Sequence, residues 1–419
     1  MKNRQAITKL QAIIIAVILI AAVVLGGVYY FILSKPAAMR TEIKIGAAVA
    51  QTGSQAVYGS RILNGYNLWA KKVNEAGGIF GLPVKLVVYD DKSDPTTTKA
   101  LYERLITVDR VDYLFGPYGS ANSKTMASVA EKYKMVVLHP CACSAQVYPS
   151  NFEYQFETFV RGIADIFEPK AQFICTLPEE IRPKSIGIIY TSTAFAKSTA
   201  VGAKANCEKY GMNILLYEEV PEGASDVSGL ILKLKEASPE AVIVTGYFPD
   251  EVLIVRTMIE MNFNPKILAV TTASEDPPDF IANLGEKVNG IIGGMYYWVD
   301  MHTDVNKQFV EAFRATYGED PTAYDAHGYT TGLVLEAALK SLGPDKLGDQ
   351  EALRECLLNI EVPIPMGTWK VDKAVVDEYK LHYPCEPRFV IGQFFGEEMK
   401  TVYPPEYADA NFVYPKPPW

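Results

Sequence analysis

The chain has 419 residues, a formal net charge of −9 and 49% hydrophobic residues, with acidic and basic side chains mixed along its length. This is enough apolar material for two lobes of ordinary domain size, each with its own core, and it excludes a disordered or fibrous chain. No long basic run is present to compete for a phosphate backbone, which excludes nucleic acid as a partner.

From Ala12 to Leu33 the sequence carries no charge, close to the ~20 residues needed to span a hydrocarbon core of about 30 Å. A secretory apolar region is usually shorter, and only the Pro36-Ala37-Ala38 neighbourhood offers a cleavage site, so residues 1–40 are expected to be an uncleaved membrane anchor with its linker. Secretion after signal cleavage is the alternative. Lys2, Arg4 and Lys9 outnumber the positive charges just beyond the span, which places the large domain outside the cytoplasm. No cysteine precedes Cys141, so lipid attachment through a cysteine near the start is not available. Six cysteines at scattered spacing leave two pairings open, Cys175 with Cys207 and Cys356 with Cys385.

After the linker, "EIKIGAAVA" reads as a short buried strand ended by the turn-rich "QTGSQAVYGS". "RILNGYNLWAKKVNEAGG" spaces its apolar residues as one helix face and stops at Gly77-Gly78. The alternation then runs through the strand "PVKLVVYDD", the helix "TTTKALYERLITVD", the strand "VDYLFG", the helix "SANSKTMASVAEKY" and the strand "MVVLHP". A second series of the same order begins at "KSIGIIY" and ends at "KILAVT". Short buried strands alternating with amphipathic helices predict parallel sheets covered on both faces. Two such series predict an α/β protein of two lobes with a cleft between them. "GIIGGMYYW", two further helices and a Pro- and aromatic-rich tail must return to those lobes.

In open parallel sheets, ligands bind beyond the carboxyl ends of the strands. The loops so nominated carry Tyr58, Tyr118, Ser120 and the run Cys141-Ala142-Cys143 in the first series, and Phe195, Tyr247, Thr271 and Thr272 in the second. They hold hydroxyls, aromatics and glycines rather than groups that titrate near neutrality, which points to binding. Ser120 stands where a helix begins, so its hydroxyl and the first free N–H groups can receive a carboxylate; a plain helix cap is the structural alternative. His139, Cys141 and Cys143 at alternate positions could face one way as metal ligands, but no fourth ligand is evident, and a small polarisable lining is the other reading. Phosphate loops, dinucleotide fingerprints, nucleophile elbows and H-E-x-x-H are all missing, so neither a cofactor nor an enzymatic reaction is expected.

"IKIGAAVAQTGSQAVYG", "LNGYNLWAKKVNEAGGIFGLPVKLVVYDDKSDP", "GPYGSANS" and "VYPKPPW" resemble the branched-chain amino acid (Leu/Ile/Val) type of solute-binding protein that feeds ABC transporters. The likeness spans residues 42–419 and implies the type I periplasmic-binding fold, with three hinge crossings and a ligand held between the lobes. It implies a first lobe of residues 41–161 and 295–372, and a second of 162–294 and 373–419. It places Tyr58, Ser120, a backbone group at Cys141, Cys143, Phe195, Tyr247 and Tyr324 around the ligand, with an ABC permease as partner. Cys143 stands where that family carries a threonine or serine, and a thiol is a weaker donor. The carboxylate that such proteins offer to a ligand ammonium is expected near Thr271-Thr272, yet the nearest acid is Glu275. Either Glu275 reaches in or the ligand is no α-amino acid, leaving amides, small organic acids and aromatic acids. A sensor module signalling to a membrane partner is the alternative function.

Overall fold

Apolar residues alternate between opposite faces along the central strands, and this alternation builds two sheets, each buried on both sides. The structure, a computed structural model, describes residues 21, 40–159, 162–166, 168–382, 385 and 390–419, and Ile43–Trp419 fold as one unit. Among the described residues no helix is long and apolar enough to cross a membrane. The expected anchor from Ala12 to Leu33 lies outside them apart from Ala21.

The first sheet contains β1 (Ile43–Val49), β2 (Val84–Asp90), β3 (Tyr113–Phe115), β4 (Val137–His139) and β5 (Gln155–Glu157), in the order β2-β1-β3-β4-β5 and parallel throughout. Helices α1 (Ala56–Glu75), α2 (Pro95–Thr107) and α3 (Ser120–Tyr133) connect them. Ile43, Ile45, Ala47 and Val49 enter one core, while Ala48 enters another with Tyr102, Leu105 and Met126. Period-two alternation with apolar residues on both faces is what a covered parallel sheet requires.

The second sheet repeats the plan. After α4 (Pro169–Thr176) come β6 (Ser185–Thr191), α5 (Ala194–Lys209), β7 (Asn213–Val220), α6 (Ser228–Ala237), β8 (Ala241–Thr245), α7 (Phe248–Glu260), β9 (Ile267–Val270), α8 (Pro277–Leu284) and β10 (Ile292–Met295). Their order is β7-β6-β8-β9-β10, the same as in the first sheet. Ala241, Ile243, Ile267 and Ala269 face one core, and Val242, Val244, Leu268 and Val270 the other.

The chain then returns to the first lobe. Helices α9 (Asp304–Tyr317) and α10 (Ala323–Leu342) pack on α1, followed by α11 (Gln350–Leu357) and the hairpin β11 (Val362–Ile364) and β12 (Gly367–Trp369). After α12 (Lys373–Tyr379), the strands β13 (Val390–Phe395) and β14 (Glu398–Tyr403) join the second sheet antiparallel beside β10. Thus the second sheet is mixed, not parallel throughout. The chain passes between lobes after β5, after β10 and before β13.

All six cysteines are free thiols. Cys356 turns its sulfur to the Ala338 carbonyl and Cys385 to that of Phe159, so these two do not pair. Cys175 and Cys207 bring their sulfurs to 4.0 Å inside the second lobe.

Candidate functional site

The order of each sheet reverses beside its first strand, so the loops after β1 and β3, and after β6 and β8, splay apart there and leave room for side chains. The loop after β1 is strapped to the end of β2 by Asp90, whose carboxylate accepts from Gln51 N (2.9 Å), Thr52 N (3.2 Å) and Thr52 Oγ1 (2.7 Å). That strap sets the start of α1 and with it Tyr58, whose ring lies 4.9 Å from Tyr118 and 4.6 Å from Tyr324. The Tyr58 hydroxyl donates across to the Thr272 carbonyl at 3.1 Å.

Tyr118 bridges Cys141, continuing the pairing of the sheet past β3 and β4. Gly119, at φ 83°, is the cap residue of α3, and Ser120 is its first helical residue; the Ser120 side chain is therefore no helix cap. Instead Ser120 Oγ accepts from Ser144 N at 3.3 Å. The Cys141-Ala142-Cys143 run is pinned by its carbonyls, with Tyr148 donating to Ala142 and Ala164 N to Cys143. His139 lies fully buried against Tyr148, ring centroids 5.4 Å apart, and burial alone lowers its pKa to about 3. Among the described residues no group of three or more His, Cys, Asp or Glu side chains is placed to hold a metal ion.

From the second lobe, Thr193 caps α5 by accepting from Ala196 N at 3.1 Å, which seats Phe195 in the first turn. Phe195 stacks on Tyr247 with centroids 5.8 Å apart and planes 18° apart, and Tyr247 in turn meets Tyr118 across the lobes at 5.8 Å. Tyr118, Ser120, the Cys141–Cys143 run and Tyr324 face Phe195 and Tyr247 around a cavity of about 10 Å³, roughly the space of a single water molecule. Gly119, which sequence reasoning passed over, also lines it. Tyr58 lies behind this wall, stacked on Tyr118 and tilted against Tyr324. Thr271 lies deeper still, its hydroxyl given to the Val244 carbonyl at 3.1 Å.

The group that organises the loop after β9 is Glu251, on α7. One carboxylate oxygen accepts from Gly246 N and Thr271 N, each at 3.0 Å, and the other from Ala273 N at 2.7 Å and Thr272 Oγ1 at 3.3 Å. Burial pushes its carboxyl up to about 7 against those hydrogen bonds. Glu275 does not line the small cavity. It receives the Tyr324 hydroxyl and borders a separate open cavity of about 600 Å³ with Tyr296, Trp298 and Lys400. Burial raises the phenols of Tyr58, Tyr118, Tyr247 and Tyr324 well above their ordinary value, so all four remain neutral donors.

A family model described as periplasmic binding protein matches residues 42–376. An amino acid binding protein of Pseudomonas aeruginosa is 25% identical over 337 residues, covering 79% of this chain and 86% of that protein. The branched-chain amino acid transporter substrate binding protein of Streptococcus pneumoniae, solved with isoleucine, superposes with a TM-score of 0.75 at 20% identity, covering 89% of this chain and 100% of that one. An ABC transporter solute binding protein of R. palustris, solved with benzoate, gives a TM-score of 0.76 at 18% identity, covering 86% and 95%. At these identities the two solved structures speak for the fold. With the family model spanning both lobes, the chain belongs to the periplasmic binding proteins, and its fold is that of the solved branched-chain amino acid and benzoate binding proteins.

Proposed function

We propose that the protein is the extracytoplasmic solute-binding receptor of an ABC importer, held at the cell membrane by its N-terminal segment and delivering its cargo to a permease. The observation that carries this reading is the make-up of the small cavity, whose walls come from both lobes. A ligand there touches every wall only while the lobes are together. It therefore binds the closed arrangement more tightly and shifts the population toward it. The walls supply neutral phenols, a hydroxyl, thiols and rings, a composition suited to holding a solute and releasing it unaltered.

The cargo is a small carboxylate or amide with a compact apolar or planar body. Its carboxylate or carbonyl end meets Ser120 at the start of the 14-residue α3, where the first N–H groups have no intrahelical partner and the helix dipole favours negative charge. Its body inserts among Tyr118, Tyr324, Phe195 and Tyr247 with the lobes and these rings further apart than in this structure, where the cavity of about 10 Å³ holds a single water. Relatives named for amino acids and one holding benzoate support this class. A thermal-shift screen of amino acids, amides, hydroxy acids and aromatic acids on the purified protein tests the reading, followed by solution scattering on each hit. Compaction on binding is expected. A melting temperature that ignores the whole screen would overturn it.

A further inference from the structure

Beside the small cavity lies a polar group that none of its surroundings satisfies. Gln55 is the residue before α1; its N–H donates to Ser93 Oγ at 3.0 Å and its carbonyl accepts from Gly59 N at 3.0 Å, so the backbone is held independently of the side chain. The side chain makes no cap bond to the helix. Gln55 is only 4% exposed, and its Oε1 is buried without a hydrogen-bond partner. A buried carbonyl oxygen left unpaired is costly, so it calls for a partner from outside the chain, a water or a ligand. A Cβ built on Gly119 would stand 2.9 Å from Gln55 Oε1 and 2.9 Å from the Tyr247 hydroxyl. The carboxamide of one lobe and the phenol of the other thus converge on a glycine that lines the cavity.

We propose that Gln55 is the specificity-determining residue of the site, its Oε1 accepting a hydrogen bond from an uncharged N–H or O–H of the ligand. The proposal rests on the receptor reading above and narrows its cargo to acids and amides that carry a neutral donor, an α-hydroxyl or a carboxamide, in place of an ammonium. An ammonium buried here would have a carboxamide, not a carboxylate, as its acceptor, because Glu251 already accepts from the Gly246, Thr271 and Ala273 N–H groups, Glu275 borders the other cavity, and Glu222, whose charge acts on Tyr247, is exposed and accepts from Ser54 Oγ at 3.2 Å.

Two triads with matched skeletons test this by calorimetry on the full chain: 2-hydroxy-4-methylpentanoate, 4-methylpentanoate and leucine; and mandelate, phenylacetate and phenylglycine. In at least one triad the hydroxy acid is expected to bind about tenfold or more tightly than both companions. Gln55→Leu should bring it level with the acid that lacks the hydroxyl, and Gln55→Glu should transfer the preference to the ammonium member. The proposal is overturned if an ammonium compound binds the unaltered protein best, if the hydroxy acid keeps its advantage in Gln55→Leu, or if no triad member binds. In that last case, hits elsewhere in the broad screen leave the receptor reading standing and remove only Gln55, whereas a screen without hits removes both. Should Gln55→Leu fail to fold, the ranking in the unaltered protein still decides.

Discussion

Ser198, on α5 of the second lobe, donates its hydroxyl to Ser144 Oγ in the first lobe at 2.6 Å, and both side chains are buried. Ser144 N in turn donates to Ser120 Oγ. One line of hydrogen bonds therefore runs from the body of the second lobe to the hydroxyl that faces the cavity. Opening the cleft breaks its first link. Ser198→Ala should leave the fold intact while removing about 0.5–1.5 kcal/mol from closure, so ligand affinity falls roughly two- to twelvefold. Calorimetry with a screened ligand measures this, and unchanged affinity would mean that closure does not engage the pair.

Ser120 itself carries a larger expected effect. If it meets a carboxylate at the start of α3, Ser120→Ala removes a hydrogen bond to a charged group, worth about 1.5–3 kcal/mol, or about ten- to 150-fold in affinity. The loss should be much smaller for amides than for carboxylates, since a neutral carbonyl makes the weaker bond. An equal loss for both would move the charged end of the ligand elsewhere in the cavity.

Much of this arrangement was legible from the chain. Ile43, Ile45, Ala47 and Val49 announce a buried strand, and the two βα series announce two sheets. The loops beyond those strands then nominate Tyr118, Ser120, Phe195 and Tyr247, which the fold brings together. What escaped depends on contacts between distant segments. Glu251 reads as an ordinary first-turn acid of a helix, and only folding places Gly246, Thr271 and Ala273 around its carboxylate. Gly119 reads as one more turn residue until Gln55 and Tyr247 close on it. The antiparallel strands β13 and β14 were hidden because their segment is rich in aromatics and flanked by prolines, a composition that also suits an irregular tail.

A second contact between the lobes makes stability depend on pH. Arg61 Nε, on α1, lies 3.7 Å from Asp276 Oδ2, which is fully buried. Burial lifts the Asp276 carboxyl from 3.8 to about 7, with Arg61 opposing and Asp279 and Asp325 adding to the rise. Burial likewise lifts Asp325 to about 6. Above pH 4 an unfolded chain has lost the Asp276 proton that the native state still holds, so folding takes up protons between about pH 4 and 7. The stabilisation linked to this proton is complete below pH 4 and disappears as pH rises through 7. Glu251 and Asp325 titrate in the same sense, whereas His139 and His327, lowered by burial to about 3, and Lys416, lowered to about 7, titrate in the opposite one. The contribution of Asp276 is therefore read as a difference: from pH 6 to pH 8 the melting temperature of Asp276→Asn should fall less, or rise more, than that of the unaltered protein. Parallel pH profiles for the two proteins would mean that the group stays ionised.

The crossing of α1 and α10 positions Tyr58 against Tyr324, and it is close because glycines meet there. A Cβ on Gly65 would lie 2.2 Å from the Asp325 carbonyl oxygen and 2.5 Å from Tyr329 N, both backbone atoms that cannot rotate away. Gly65→Ala gains about 1 kcal/mol of intrinsic helix propensity, but overpacking costs typically 1–3 kcal/mol and more where backbone must shift. The steric term wins, and the melting temperature should drop by several degrees. Because the helices can relieve the clash only by separating, the tilted 4.6 Å ring contact of Tyr58 with Tyr324 loosens with them, and ligand affinity should fall in the same variant. Gly229→Ala is the matching control: its added Cβ meets nothing within 4 Å on exposed α6, so only the propensity gain remains. Melting curves that show Gly65→Ala as stable as Gly229→Ala would mean that the two helices are not in backbone contact at this crossing.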